Sequence, residues 1–153
     1  MSRARTGDIK GATTSSIQAV DETPISAEAA RNVAAFRTAM RRFLRTSERI
    51  AHANGLTPQR YLLLLMIKGA PDGSERATVT DLVDRLELAQ STVTELVKRA
   101  EDVGFVRRES SEADGRVAHL HLTAEGERRL ARAFRTLDDE RARLRAMVDE
   151  LET

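Results

Sequence analysis

Gln90, Ser91, Thr92, Thr94 and Glu95 lie within six consecutive residues, and Lys98 follows three positions later. Their side chains suit the edges of nucleic-acid bases. Gln can pair with adenine, Glu can accept from cytosine N4, and Ser or Thr can do either. Lys98 would reach a phosphate. A second group follows in "FVRRESSEADGRVAHLHLTAEG", residues 105–126. Arg116 suits the narrow, negative minor groove of A/T-rich DNA. Asp114 would repel phosphate, so its expected task is to pair with Arg116 or another basic residue, or to cap the tip. Of Arg107 and Arg108, at least one should face the DNA backbone. All these residues also have a plainer reading. Ser and Thr at a helix start are often only caps, and Glu95 and Lys98 could be solvated surface. The elements that hold them decide between the two.

Helical periodicity begins after Ser26, an N-cap candidate with Glu28 in the first turn. Val33, Phe36, Met40, Phe43 and Leu44 recur at helical spacing up to the C-cap pair Asn54-Gly55. Thr57-Pro58 then opens a second helix, with Leu56 and Tyr61 placed as a hydrophobic staple. "YLLLLMI" is apolar nearly all round, which predicts a central, buried helix. Gly69, Pro71 and Gly73 end it, and a short extended piece lies around Arg76 and Ala77.

Thr78-x-x-Asp81 has the form of a capping box for a third helix with Leu82, Val83 and Leu86 inward. A fourth helix starts near Ala89 or Gln90 on a buried stripe of Val93, Leu96, Val97, Ala100 and Val103, and Gly104 stops it. That stripe turns Ser91, Glu95, Lys98 and Asp102 outward at about 100° per residue. Ala118, Leu120 and Leu122 alternate with Val117, His119 and His121, the period of a strand buried on one face. Two helices joined by a short turn, then strand, tight loop and strand, make a winged helix-turn-helix. In that frame the base-reading interpretation of residues 90–98 outweighs the capping one.

Thr123 caps the last helical region. Leu130, Leu137, Leu144 and Leu151 repeat every seven residues, as do Phe134, Arg141 and Val148, with neither Gly nor Pro from Glu127 to Glu152. The repeat predicts a helical seam of about 45 Å against a partner chain. The other possibility is two shorter helices broken near Asp138-Asp139.

Bulk composition narrows the function. The 153 residues are 3% aromatic with no Trp, so the core is aliphatic and suited to helices. The absence of cysteine excludes disulfides, thiolate zinc sites and thiol redox chemistry. No apolar run reaches the roughly 18 residues of a membrane span, and the N-terminal stretch lacks a secretion signal's apolar core. The expected location is the cytoplasm. Net charge is +1. From Arg85 to Arg116 six basic residues face seven acidic ones, a local −1, so DNA binding must rest on placement and should weaken steeply with salt. His119-x-His121 could ligate a metal, but no third ligand follows at suitable spacing, so no metal or other cofactor is expected. There is no Gly-rich phosphate loop, no G-x-S-x-G and no H-E-x-x-H, so no enzyme is expected.

The ordered set "LTPQRYLLLLMI", "ATVTDLVDRLELAQSTVTELVKRAEDVGFVRRES" and "DGRVAHLHLTAEG", spanning Leu56 to about Arg129, resembles the MarR family of winged helix-turn-helix regulators. The resemblance implies a mainly α fold with a small β-wing, dimerised through its N- and C-terminal helices. It implies a homodimer on double-stranded, pseudo-palindromic DNA, usually repressing transcription and often released by a small molecule, here of phenolic or aromatic-acid type. It places the ligand pocket beneath the junction of helices one, two and five, where Arg49, His52 and Tyr61 could line it. The expected organisation is a flexible arm at 1–25, a dimerisation helix at 26–55, the winged domain at 56–122 and dimerisation helices at 123–153. In the arm, Arg3, Arg5 and Lys10 could touch phosphates, although a solvated tail is the plainer reading. Three features depart from the family pattern. Glu87 occupies the turn position that usually carries Gly, the loop "GAPDGSERA" is long, and the C-terminal region is short. A rival reading is a winged-helix protein-interaction adaptor that does not bind DNA.

Overall fold

The computed structural model describes residues 21–151. Arg3, Arg5 and Lys10, with all but the last five residues of the expected arm, lie outside the described residues. Ser26 accepts from the Ala29 amide and opens α1, Ala27–Ala53, which ends at Asn54 with Gly55 at φ 71°. Thr57 accepts from the Arg60 amide and opens α2, Pro58–Lys68, closed by Gly69. Leu56 and Tyr61 are both buried. Strand β1, Arg76–Ala77, leads into α3, Val79–Leu86, whose start is a complete capping box between Thr78 and Asp81. Helix α4, Gln90–Asp102, follows, with Gly104 at φ 78° just beyond its end.

Strands β2, Val106–Ser110, and β3, Ala118–Leu122, form the wing. They join β1 in an antiparallel sheet of order β1-β3-β2. The register sets Val106 against Leu122 and Arg108 against Leu120, while Arg107 faces His121 and Glu109 faces His119. The sheet therefore has one core-side face and one polar outer face. The core beneath it joins Leu63, Leu64 and Ile67 of α2, Leu82 of α3, Val93, Val97 and Ala100 of α4, and Leu120 and Leu122 of β3. Helix α2 is central, but its apolar girth is not fully enclosed, because Leu62 is exposed. Val103 also departs from expectation: it caps α4 at the surface rather than extending the buried stripe.

The C-terminal region is not one long helix. Helix α5, Ala124–Thr136, and helix α6, Asp138–Leu151, are separated at Leu137, whose φ and ψ are −92° and 2°. No Gly or Pro is needed for the break. Leu137 is drawn into the core, and Asp138, Asp139 and Glu140 stand where a new helix N-terminus favours negative charge. Helix α6 packs along α1 but buries none of its described side chains fully.

Candidate nucleic-acid interface

Helix α4 is aimed by the turn before it. Glu87 adopts φ 52° and ψ 40°, the left-handed conformation that lets α3 end and the chain reverse within three residues. The N-cap of α4 is Ala89, which makes no side-chain capping bond. Ser91 and Thr92 therefore do not cap the helix. With Val93, Val97 and Ala100 buried, Gln90, Ser91, Thr92, Thr94, Glu95 and Lys98 are all exposed. Among the described residues, Gln90, Ser91, Thr92, Thr94 and Lys98 have no side-chain partner. Glu95 accepts from Arg99 Nε at 2.9 Å, so its carboxylate is half-neutralised by its own helix.

The wing is shaped from within. Asp114 Oδ1 accepts from the Arg116 amide at 3.0 Å, and the Asp114 carbonyl accepts from the Val117 amide at 3.0 Å. Asp114 thus closes the tip through backbone and leaves the Arg116 guanidinium without a partner among the described residues. Arg107 and Arg108 point to opposite faces of the sheet. Arg107 donates to Glu109 at 3.1 Å, and that ion pair holds the Glu109 carboxyl below the usual carboxylate range. Arg108 donates to Glu101 of α4 at 2.9 Å, which ties the wing to the exposed helix.

A second set of interactions fixes this assembly on α1 and α5. Thr123 Oγ1 accepts from the Gly126 amide at 3.1 Å and donates to the Gly104 carbonyl at 2.5 Å. Phe105, at the joint between α4 and β2, has the guanidinium carbons of Arg60 and Arg129 at 5.8 and 5.7 Å from its ring centroid. Arg129 also donates to the Asn54 carbonyl at 3.0 Å. The end of α1, the start of α5 and the root of the wing are therefore joined through named side chains.

The three residues assigned to a ligand pocket are not brought together. Tyr61 is buried, and desolvation raises its pKa. Arg49 and His52 are exposed on α1, and the shallow groove that Arg49 lines with Arg42, Arg45, Thr46 and Glu48 excludes Tyr61. The cation nearest Tyr61 in effect is Arg141, whose charge works against the desolvation. Its guanidinium lies 3.6 Å from the Phe134 ring centroid and bonds Asp138, while Nη1 is buried with no partner. The signal for Arg141 was in the sequence, as the one charged member of an otherwise apolar seven-residue row. An apolar cavity of about 490 Å³, which shares Phe134 with this cation–ring contact, opens between α2 and α5, lined by Leu65, Leu130, Ala131 and Phe134 with Lys68, Glu127 and Arg135 also on its wall.

On the outer face of the sheet, burial, with Arg107 next, pushes the His121 pKa down, although Glu109 Oε2 lies 3.3 Å from Nε2 and opposes the shift. Among the described residues no group of three or more His, Asp or Glu side chains is placed to hold a metal ion. No described helix is long and apolar enough to cross a membrane.

This arrangement of helices, three-stranded sheet and projecting β-tip defines a winged helix-turn-helix protein. The MarR family model matches residues 54–117, from the end of α1 through the wing tip. Over 94 residues the chain is 33% identical to a putative transcriptional regulatory protein for the hcr operon of Thauera aromatica, covering 61% of this chain and 52% of that protein. Over 79 residues it is 37% identical to the transcriptional regulator HosA of Escherichia coli, covering 52% of this chain and 56% of that protein. The chain thus spans about half the length of the curated relatives it matches. Its fold superposes with a TM-score of 0.60 on Sco3205, a MarR family transcriptional regulator from Streptomyces coelicolor in complex with DNA, at 24% identity over 81% of this chain and 78% of that one. Residues 54–117 thus match a MarR family model, and the relatives named here are described as transcriptional regulators.

Proposed function

We propose that this protein is a cytoplasmic, sequence-specific DNA-binding transcriptional regulator that acts as a homodimer on a pseudo-palindromic operator. The observation that carries the reading is the start of α4. Its N-cap is an alanine, so the polar groups of Gln90, Ser91, Thr92 and Thr94 are committed to no structural task and stand exposed beside Lys98. In this fold, that end of the second helix of the pair enters the major groove. The unpaired Arg116 guanidinium at the wing tip suits the adjacent minor groove, and Sco3205 supplies a precedent of the same fold in complex with DNA.

Dimerisation is supported by the terminal helices. Val33, Met40 and Leu44 of α1 and Val148 and Leu151 of α6 are exposed, so both helices of this packed pair present apolar side chains for a second copy to cover. Two copies would set their α4 helices about one DNA turn, ~34 Å, apart. The protein acts as a repressor, released by a small phenolic or aromatic acid. The apolar cavity between α2 and α5, whose Phe134 wall is contacted by Arg141, supports that site better than exposed Arg49 and His52 do.

A gel-shift with DNA from upstream of the gene itself tests the reading. A retarded dimer complex, weakened both by Arg116→Ala and by titrated phenolic acids, is the expected result. Retardation by no duplex, with capture of a protein partner instead, would favour the adaptor reading that the near-balanced charge of residues 85–116 allows.

A further inference from the structure

Helix α1 holds six arginines and two glutamates, a formal +4. The remaining 19 basic and 22 acidic residues leave the rest of the chain at −3. The positive charge of this protein is therefore concentrated on α1 and not on the face that carries α4 and the wing.

The placement is as uneven as the count. At about 100° per residue, Arg31, Arg42, Arg45 and Arg49 fall within about 60° of one another and run about 27 Å along the helix. The exposed apolar residues Val33, Met40 and Leu44 lie roughly 150° away round the same helix. Phe43, Ile50 and Ala51, which meet the core, are also turned away from the arginines. The ridge is thus neither the core face nor the apolar face that would pair with a second copy. All four arginines are exposed.

On β2, α4, α5 and α6, Arg99, Arg107, Arg108, Arg128, Arg129 and Arg143 each hold a carboxylate. Among the described residues Arg31, Arg42 and Arg45 hold none, and Arg49 bonds only the Thr46 hydroxyl, at 3.2 Å. Arg116 and several other arginines also hold no carboxylate among the described residues, but the ridge gathers such groups on one line. Glu48, close in sequence, bonds none of them. Arg42, Arg45 and Arg49 lie within about two turns and repel one another, and a polyanion laid along the ridge would relieve that repulsion and reach Arg31.

We infer that this ridge of α1 is a second DNA-binding surface, which holds the phosphate backbone of duplex DNA without reading its sequence. Guanidinium forks bind phosphate oxygens in pairs, and each phosphate neutralised releases counterions. The inference rests on the proposed DNA-binding function and deepens it. The surface that reads bases carries a local −1, so α1 supplies the attraction that this surface lacks. DNA is favoured over an acidic protein because the ridge sets four guanidinium groups against one flanking carboxylate, Glu48, and carries no large apolar side chain to bury in a protein interface.

Fluorescence anisotropy of a labelled 24-base-pair duplex of random sequence, titrated over a range of salt concentrations, tests this. The proteins are the full chain, its Arg31→Gln/Arg42→Gln/Arg45→Gln variant and its Arg116→Ala variant, with circular dichroism and sedimentation to confirm that fold and assembly are kept. The ridge variant should bind the duplex about tenfold or more weakly at low salt. Its log–log salt slope should fall by about 2 to 3 units, at roughly 0.9 for each phosphate no longer neutralised. Arg116→Ala should lower the slope by about 1 unit or less. A ridge variant with the parent's affinity and slope overturns the inference while leaving the DNA-binding function in place. Tighter binding of poly-glutamate than of duplex would assign the ridge to an acidic protein and also overturn it. A parent chain that binds no duplex, random or selected, removes both the inference and the function it rests on.

Discussion

Gly126 lies so close beneath Phe105 that a β-carbon on it would stand 2.1 Å from the Phe105 carbonyl oxygen. The approach is backbone against backbone, at the point where α5 meets the joint of α4 and β2. Neither side can yield by rotating a side chain. Gly126→Ala should therefore destabilise the fold by about 1–3 kcal/mol, the usual scale of overpacking in a filled interior. Urea denaturation followed by circular dichroism measures it. An unchanged midpoint would show that α5 is not clamped to the root of the wing.

Glu87 gives a prediction of opposite sense. Its left-handed backbone, φ 52°, is one that glycine adopts freely and a β-branched residue resists. Glu87→Val should lose about 1–3 kcal/mol, while Glu87→Gly should hold its stability or gain up to about 1 kcal/mol. Thermal melts of the three proteins would show the order Gly at or above Glu, then Val. Equal melting temperatures for Glu and Val would mean the turn can relax to another conformation.

Arg116→Ala should cost about 1–3 kcal/mol in operator affinity, roughly 5- to 150-fold, and relax preference at the A/T positions flanking each half-site. Its melting temperature should not move, because Arg116 makes no side-chain contact among the described residues and Asp114 closes the tip through backbone. Competition binding against duplexes altered at single flanking positions reads the outcome. A uniform loss at every position would make Arg116 a phosphate contact only.

His121 carries a pH dependence. Burial, followed by the charge of Arg107, lowers its folded pKa below the usual 6.5. The folded state therefore disfavours the imidazolium relative to the unfolded chain. The associated stability is fully present above pH 6.5 and is lost as pH falls through 6.5 toward the folded pKa. Imidazole proton shifts followed by NMR should titrate for His121 below 6.5. His121→Gln should flatten the fall in stability between about pH 7 and pH 5. A His121 midpoint above 6.5 would mean that Glu109, at 3.3 Å, outweighs burial and Arg107.

Much of the fold was legible because its signals are local. Ser26, Thr57, Thr78 and Thr123 each cap a helix by a bond to an amide three residues on, which a short sequence window contains. The strand alternation of β3 was readable for the same reason, whereas the left-handed turn at Glu87 was expected only from the resemblance, since a glutamate carries no local signal for positive φ. The C-terminal repeat misled because a seven-residue period is satisfied equally by a continuous seam and by two helices that share one buried leucine; only packing decides that Leu137 leaves the helix. Arg107 and Arg108 could be placed on the wing, but their carboxylate partners depend on the register of β2 and on where α4 ends. Arg49, His52 and Tyr61 were grouped by chemistry, whereas α1 turns the first two outward and the fold buries the third.

The central claim is that two copies of this chain present α4 and the wing to successive grooves of one duplex. Selection of bound sequences from a pool of random duplexes tests it most directly. The expected product is an enriched inverted repeat whose half-site centres lie about 10 base pairs apart, flanked by A/T-rich steps. A pool that shows no enrichment, or that enriches a single half-site without its mirror image, would contradict the claim.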